Sequence, residues 1–260
     1  MSTIQEANTG RRAMCRAVRV CVAAAVLCAC VCRAGLEDDR KWHIRTQEDL
    51  LGLLDREQGV FVSEDVVMDA DITVDLPSAT SPLGLANNGD CVGFSGTFDG
   101  NNHTISGLKV TASDAPAMAG LFCMLAGGTV KNVVFDETCS FDGMLVGSVC
   151  GTVSGNGVVM NVHNKAAVHC SSSCGGLVSA WASTTSLDIS HSTNTGSVTG
   201  ESSTYTVHVG GFVSTALPDS ELLMSHNTNN GTVTCHADSC YAAGFVGYSF
   251  SKVITISHST

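Results

Sequence analysis

At 260 residues, with a formal net charge of −11 and a mean hydropathy of +0.21, the chain is long enough to bury a sizeable core. Its acidic balance repels phosphate backbones and anionic lipid, which excludes a nucleic-acid binder and leaves a membrane reachable only through a leader or an anchor outside this sequence. Thirteen cysteines are too many for an ordinary cytosolic domain and ask for an oxidising compartment.

The chain opens as an address. Arg11, Arg12, Arg16 and Arg19 precede an uncharged run of 13 residues, Val20 to Cys32. That length suits a secretory signal, whereas a membrane-spanning helix needs about 20 residues. Cys32-Arg33-Ala34 places small residues at −3 and −1, so cleavage is expected before Gly35 and residues 1–34 read as a signal peptide. A short buried helix, a retained signal anchor and a lipoprotein box around Cys28 are the other readings. Loss of five basic residues and Glu6 would take the net charge from −11 to −15. Twelve of the remaining acids fall between Glu37 and Asp75.

Residues 35–59 read as an amino-terminal cap. Thr46-Gln47-Glu48-Asp49 before Leu50, Leu51, Leu53 and Leu54 predicts a capped amphipathic helix that ends near Gly59. Strand-like segments follow from residue 60 to 135. Beyond them, residues 136–260 carry a repeat: Gly176-Leu177-Val178, Gly211-Phe212-Val213 and Gly244-Phe245-Val246 each lead into a Ser-His phrase. Fainter copies start at Gly120 and Gly147, so successive glycines stand 27, 29, 35 and 33 residues apart. Three short strands per period fit a parallel β-helix better than a propeller blade, which needs four strands in about 40–50 residues. The expected fold is therefore all-β, a right-handed parallel β-helix behind a short capping helix, its last coil ending abruptly at residue 260.

Stacked coils put equivalent residues into ladders about 4.8 Å apart. His191, His226 and His258 should form one file and Asn194 should lie beneath Asn229, with the Asn-x-Gly segments as turns of positive φ. The histidines read as solvent-facing strand residues rather than metal ligands, since no carboxylate or cysteine repeats beside them. No metal or cofactor is expected.

Eight cysteines lie beyond the leader, an even number that predicts disulfides of undetermined pairing. Cys170/Cys174 and Cys235/Cys240 share one slot of the coil and read as local bridges pinching outward loops. A zinc site built across coils with His169 and His236 is the alternative. Asn102-His103-Thr104 and Asn230-Gly231-Thr232 are glycosylation acceptors at turns.

Phe94 to Leu108 (FSGTFDGNNHTISGL), Gly120 to Val133 and the acidic phrase Asp69-Ala70-Asp71-Ile72 resemble, in that order, the GLUG-motif repeat proteins of microbial cell surfaces. The resemblance covers roughly residues 43–260 and is most specific at 94–135. It implies a β-helix with an exposed, adhesive role toward a host or matrix protein or a glycan, and it implies no reaction. The cysteine-rich coils depart from that family's pattern.

Catalysis finds little support. Asp69, Asp71, Asp75 and Asp99 are the available carboxylates, and Asp69/Asp71, two apart on one strand, would be the pair of a glycosidase. Against this, only Lys109, Lys131, Lys165 and Lys252 are basic past residue 56, and two Trp and three Tyr offer few sugar platforms. No His-Glu-x-x-His, P-loop, nucleophile elbow or calcium repeat occurs. The sequence thus favours a secreted or surface binding module without catalysis. A carbohydrate-active enzyme and a structural stalk for a further domain are the alternatives.

Overall fold

The computed structural model describes residues 41–54, 63–85, 90–112, 117–181 and 186–260; the leader and residues 55–60 lie outside this set. The described chain winds as a parallel β-solenoid of about six turns. Three parallel sheets run the length of the coil stack, with eleven, five and eight strands.

The first sheet begins with Trp42–Ile44 and Val66–Met68 and continues through Thr97–Ser106, Thr129–Phe135, Asn156–Asn164, Ser186–Ser190 and Glu221–Ser225 to Val253–Ser257. Phe122–Ala126, Cys150–Ser154, Val178–Trp181, Val213–Ala216 and Val246–Ser249 form the second. The third includes Ser140–Gly147, Ala167–Gly175, Val198–Ser202, Val207–Gly210, Val233–Ala237 and Cys240–Ala243.

Register explains why the phrase repeats. Phe98, Val130, Val159, Ile189 and Met224 stand over one another on the inner face of the first sheet, and all are buried. One coil cannot close its own interior, so each depends on a matching row above and below. Ile256 continues this row on Met224 and is 44% exposed, because no described coil lies beyond it. Phenylalanines fill the earlier coils: Phe94 stacks on Phe122 at 4.4 Å between centroids, with Phe98 edge-on to Phe122 at 5.8 Å. Phe135 meets Phe141 edge-on at 5.5 Å.

Near the amino terminus a helix, α1, spans Gln47–Leu54. The Thr46 hydroxyl accepts the Asp49 N–H at 3.2 Å, and the Asp49 carboxylate accepts the N–H groups of Thr46 and Arg45 at 3.0 Å. These bonds satisfy donors that a first helical turn otherwise leaves open. Leu50 and Leu53 are buried beneath α1. Among the described residues no helix is long and apolar enough to cross a membrane.

Candidate functional site

Two columns of the first sheet organise the outer surface and the interior beside it. The inner one is an amide ladder. Asn164, Asn194 and Asn229 stack in register. Asn164 donates to the Asn194 carbonyl at 2.8 Å, and Asn194 donates to that of Asn229 at 3.0 Å. Asn164 and Asn194 are fully buried. The chain bends at Gly196 and Gly231 as expected, but neither these glycines nor Asn194 and Asn229 take positive φ. Gly196 is required instead by close approach: a Cβ there would collide with the Ala166 carbonyl.

Positive φ falls on the outer column. Asn132 (φ 54°), Asn161 (52°), His191 (52°), His226 (56°) and His258 (48°) occupy one left-handed kink repeated coil after coil. Asparagine and histidine are among the few side-chain-bearing residues that tolerate this region. The histidines are therefore kink residues, not members of a straight strand. Their rings stack face to face, His191 on His226 at 4.8 Å and His226 on His258 at 4.9 Å, with planes within 5°. Lower down, the same column is joined by a bond from Asn161 Nδ2 to Asn132 Oδ1 at 3.0 Å.

Of the four candidate carboxylates, Asp69, Asp71 and Asp99 are engaged. Asp69 and Asp71 do not share a strand face; they flank a bend at Ala70 and turn to different partners. Asp69 accepts from His43 Nδ1 and Arg45 Nε, both at 2.8 Å. Burial would raise its carboxyl, but those two bonds outweigh it and hold the group below its ordinary range. Asp71 is lowered first by the Thr104 N–H and then by His103 Nδ1, at 2.9 and 3.0 Å. For Asp99, burial is again outweighed, by bonds from Asn132, Asn101 and Lys131. Asp75 accepts nothing in this set; its N–H donates to the Gln47 carbonyl at 2.5 Å. Asp69 is thus tied to His43 and Arg45 and Asp71 to Thr104 and His103, and neither carboxyl is raised as a glycosidase acid requires.

Three disulfides form: Cys91–Cys123, Cys170–Cys174 and Cys235–Cys240. Cys170–Cys174 does not pinch an outward loop. Both residues lie within the strand Ala167–Gly175 and are fully buried, with a register shift between Cys170 and Ser173 giving the bulge that the bridge spans. In the next coil Gly200 stands over Cys170 and Val209 over Cys174; a Cβ on Gly200 would strike Val207 and Val209, so valine fills the space the bridge fills below. Cys240, in the last coil, is exposed. Cys91–Cys123, with a separation of 32 residues, ties adjacent coils, and that separation of one period was its signal in the sequence. Not every cysteine pairs: Cys139 and Cys150 are buried thiols, and burial pushes Cys139 up to about 12. His169 meets Asp142 at 2.8 Å and Glu201 at 3.8 Å rather than a cysteine. No group of three His, Cys, Asp or Glu among the described residues is arranged to hold a metal ion.

The feature that residue counts concealed lies where the second and third sheets meet. Tyr241 stands over His208 and Tyr248 over Thr215. His208 stacks on Tyr248 at 4.7 Å, Tyr241 approaches Tyr248 at 4.9 Å, and Phe250 closes edge-on against Tyr248 at 4.8 Å. Tyr241 is 45% and Phe250 59% exposed. Burial pushes the His208 imidazole below its ordinary range. Few aromatic residues occur, yet the coil gathers several into one patch.

No protein-family model matches the chain. Over 102 residues, 39% of its length, it is 35% identical to halomucin of Haloquadratum walsbyi, and it spans 1% of that protein. Among solved structures, a candidate immunoglobulin A1 protease from Bacteroides ovatus superposes with a TM-score of 0.59, covering 85% of this chain and 79% of that one at 14% identity. Similarity at that identity concerns the solenoid fold alone.

Proposed function

We propose that the chain is a secreted or cell-surface binding module that engages a glycan or an extracellular protein through the patch of His208, Tyr241, Tyr248 and Phe250, and performs no reaction of its own. The observation that carries this reading is the patch itself. Phe98, Phe122 and Phe135 place their rings in the core, where burial stabilises the fold. Contiguous rings held at the surface add little to stability and mark contact sites for partners. Rings gathered in this way suit an apolar partner surface such as the face of a pyranose ring.

Other observations support an exposed, extracellular role. Three disulfides call for an oxidising compartment, in line with reading residues 1–34 as a secretory leader. Asn102 and Asn230, the asparagines of the two glycosylation motifs, are both exposed, Asn102 within the strand Thr97–Ser106 rather than at a turn. The GLUG-like segment at 94–135 favours the same assignment. A protease reading gains no support from His103 and His169, which meet carboxylates but no serine or cysteine among the described residues. The test is binding of the purified chain to a glycan array and to immobilised matrix proteins, beside a Tyr241→Ser/Phe250→Ser variant. Retention that the double variant loses supports the proposal. No retention of the parent chain on either surface, or equal retention of both chains, overturns it.

A further inference from the structure

The imidazole file raises a separate possibility, independent of what the aromatic patch binds. His191, His226 and His258 are exposed, and among the described residues nothing hydrogen-bonds their ring nitrogens. Six nitrogens thus stand in a line with no partner inside the protein, on a chain whose net charge of −11 draws cations toward it. We infer that this file is a binding site for one borderline divalent transition-metal ion, Cu(II) foremost, held by two neighbouring imidazoles with water completing its shell.

Geometry favours the pair. Two imidazoles bound side by side on one ion, at about 2.0–2.1 Å per nitrogen, have ring centres roughly 4.5–5 Å apart. The rings here are 4.8 and 4.9 Å apart. Parallel planes aim the lone pairs in parallel, so the rings must swing toward each other about their side-chain bonds; the backbone need not move. That backbone is fixed from coil to coil, the His191 N–H donating to the Ser225 carbonyl at 3.0 Å and the His226 N–H to that of Ser257 at 3.1 Å. Ligands held in register lose little freedom on binding. Imidazole suits copper, zinc and nickel, and copper binds most tightly of these divalent ions. Three file members offer two overlapping pairs, and His226 belongs to both. One ion per chain follows, since a second would compete for the same ring.

The shared member makes the test sharp. His226→Asn preserves the kink, because Asn161 and Asn132 already hold the same left-handed position two and three coils below His226. The full chain would be titrated with Cu(II), read by calorimetry and by the nitrogen hyperfine pattern in electron paramagnetic resonance. Expected are one ion per chain, a two-imidazole pattern, and its loss in His226→Asn. Removing even an outer partner of a ligand typically costs about 10–100-fold in affinity, so losing a ligand itself should cost no less than about tenfold. His191→Asn and His258→Asn should each keep one pair and bind. The double variant His191→Asn/His258→Asn isolates His226 and should fail like His226→Asn, which covers the case in which that variant does not fold. Equal affinity of the parent and His226→Asn chains, or a spectrum without two imidazoles, overturns the inference.

Discussion

The same kink is built from two chemistries along one column. In the earlier coils Asn132 and Asn161 link neighbours by amide hydrogen bonds, beside carboxylates that pair with His43, Arg45, His103 and Lys131. In the later coils His191, His226 and His258 stack without a hydrogen bond among them, the coils are joined from inside by the asparagine ladder, and two small disulfides each close a few residues within one coil. What stays constant is the backbone: positive φ at one position per coil. Any side chain that tolerates that conformation can serve, and its chemistry is then free to vary. The early coils bind to one another partly through charge on their surface, whereas the later ones depend on buried amides.

That contrast is most easily broken from the inside. Asn194→Ala removes the central rung and leaves the Asn164 amide and the Asn229 carbonyl short of partners. A buried polar group left unsatisfied costs about 1–3 kcal/mol, so a loss of about 2–4 kcal/mol in urea unfolding is expected. A loss near zero would mean that water replaces the rung and that the ladder holds nothing together.

A smaller effect should separate the two short disulfides. A bridge closing so few residues is worth about 2 kcal/mol or less by loop entropy. The pairs differ in access, since Cys170 and Cys174 are fully buried and Cys240 is exposed. Under native conditions a mild reductant followed by mass-tagging should label Cys235 and Cys240 first and leave Cys170 and Cys174 unlabelled. Simultaneous labelling would place the inner bridge within reach of solvent.

The least effect belongs to the surface pairs. The Thr104 N–H and His103 hold the Asp71 carboxyl below its ordinary value. Its folded affinity for protons is lower than its unfolded one, so its contribution is complete above the unfolded value of about 4 and disappears as pH falls through the folded value. The Asp71 side chain is 73% exposed, and solvent-screened pairs contribute about 0–1 kcal/mol. Asp71→Asn should therefore lower stability at neutral pH by no more than about 1 kcal/mol, a difference that vanishes as pH falls through the folded value. A large loss at neutral pH would give the early coils an electrostatic dependence greater than this account allows.

The solenoid was legible because its cause is local and repeated. A glycine-led apolar strand, a Ser-His phrase and a period near 30 residues state that each coil needs another like it, and sheet register follows once that period is known. Inside or outside was harder to read. Asn194 and His191 stand three residues apart in the same polar phrase, yet one is buried and the other faces water. Alternation carried on from Leu187 and Ile189 would turn His191 inward and Asn194 outward; the left-handed residue shifts it by one, and composition does not announce which polar residue will take it.

Residues 176 to 260 by themselves determined the repeat, and with it a stack of parallel strands, because only matching neighbours can close a coil's interior. The tertiary structure alone decided which groups meet. It brought Tyr241 over His208, turned Asp69 and Asp71 to separate partners and sealed Cys170–Cys174 within a bulge. Such contacts join positions a full coil apart, where their distance is set by strand stacking and by the angle of the corner between sheets, quantities that no run of neighbouring residues encodes.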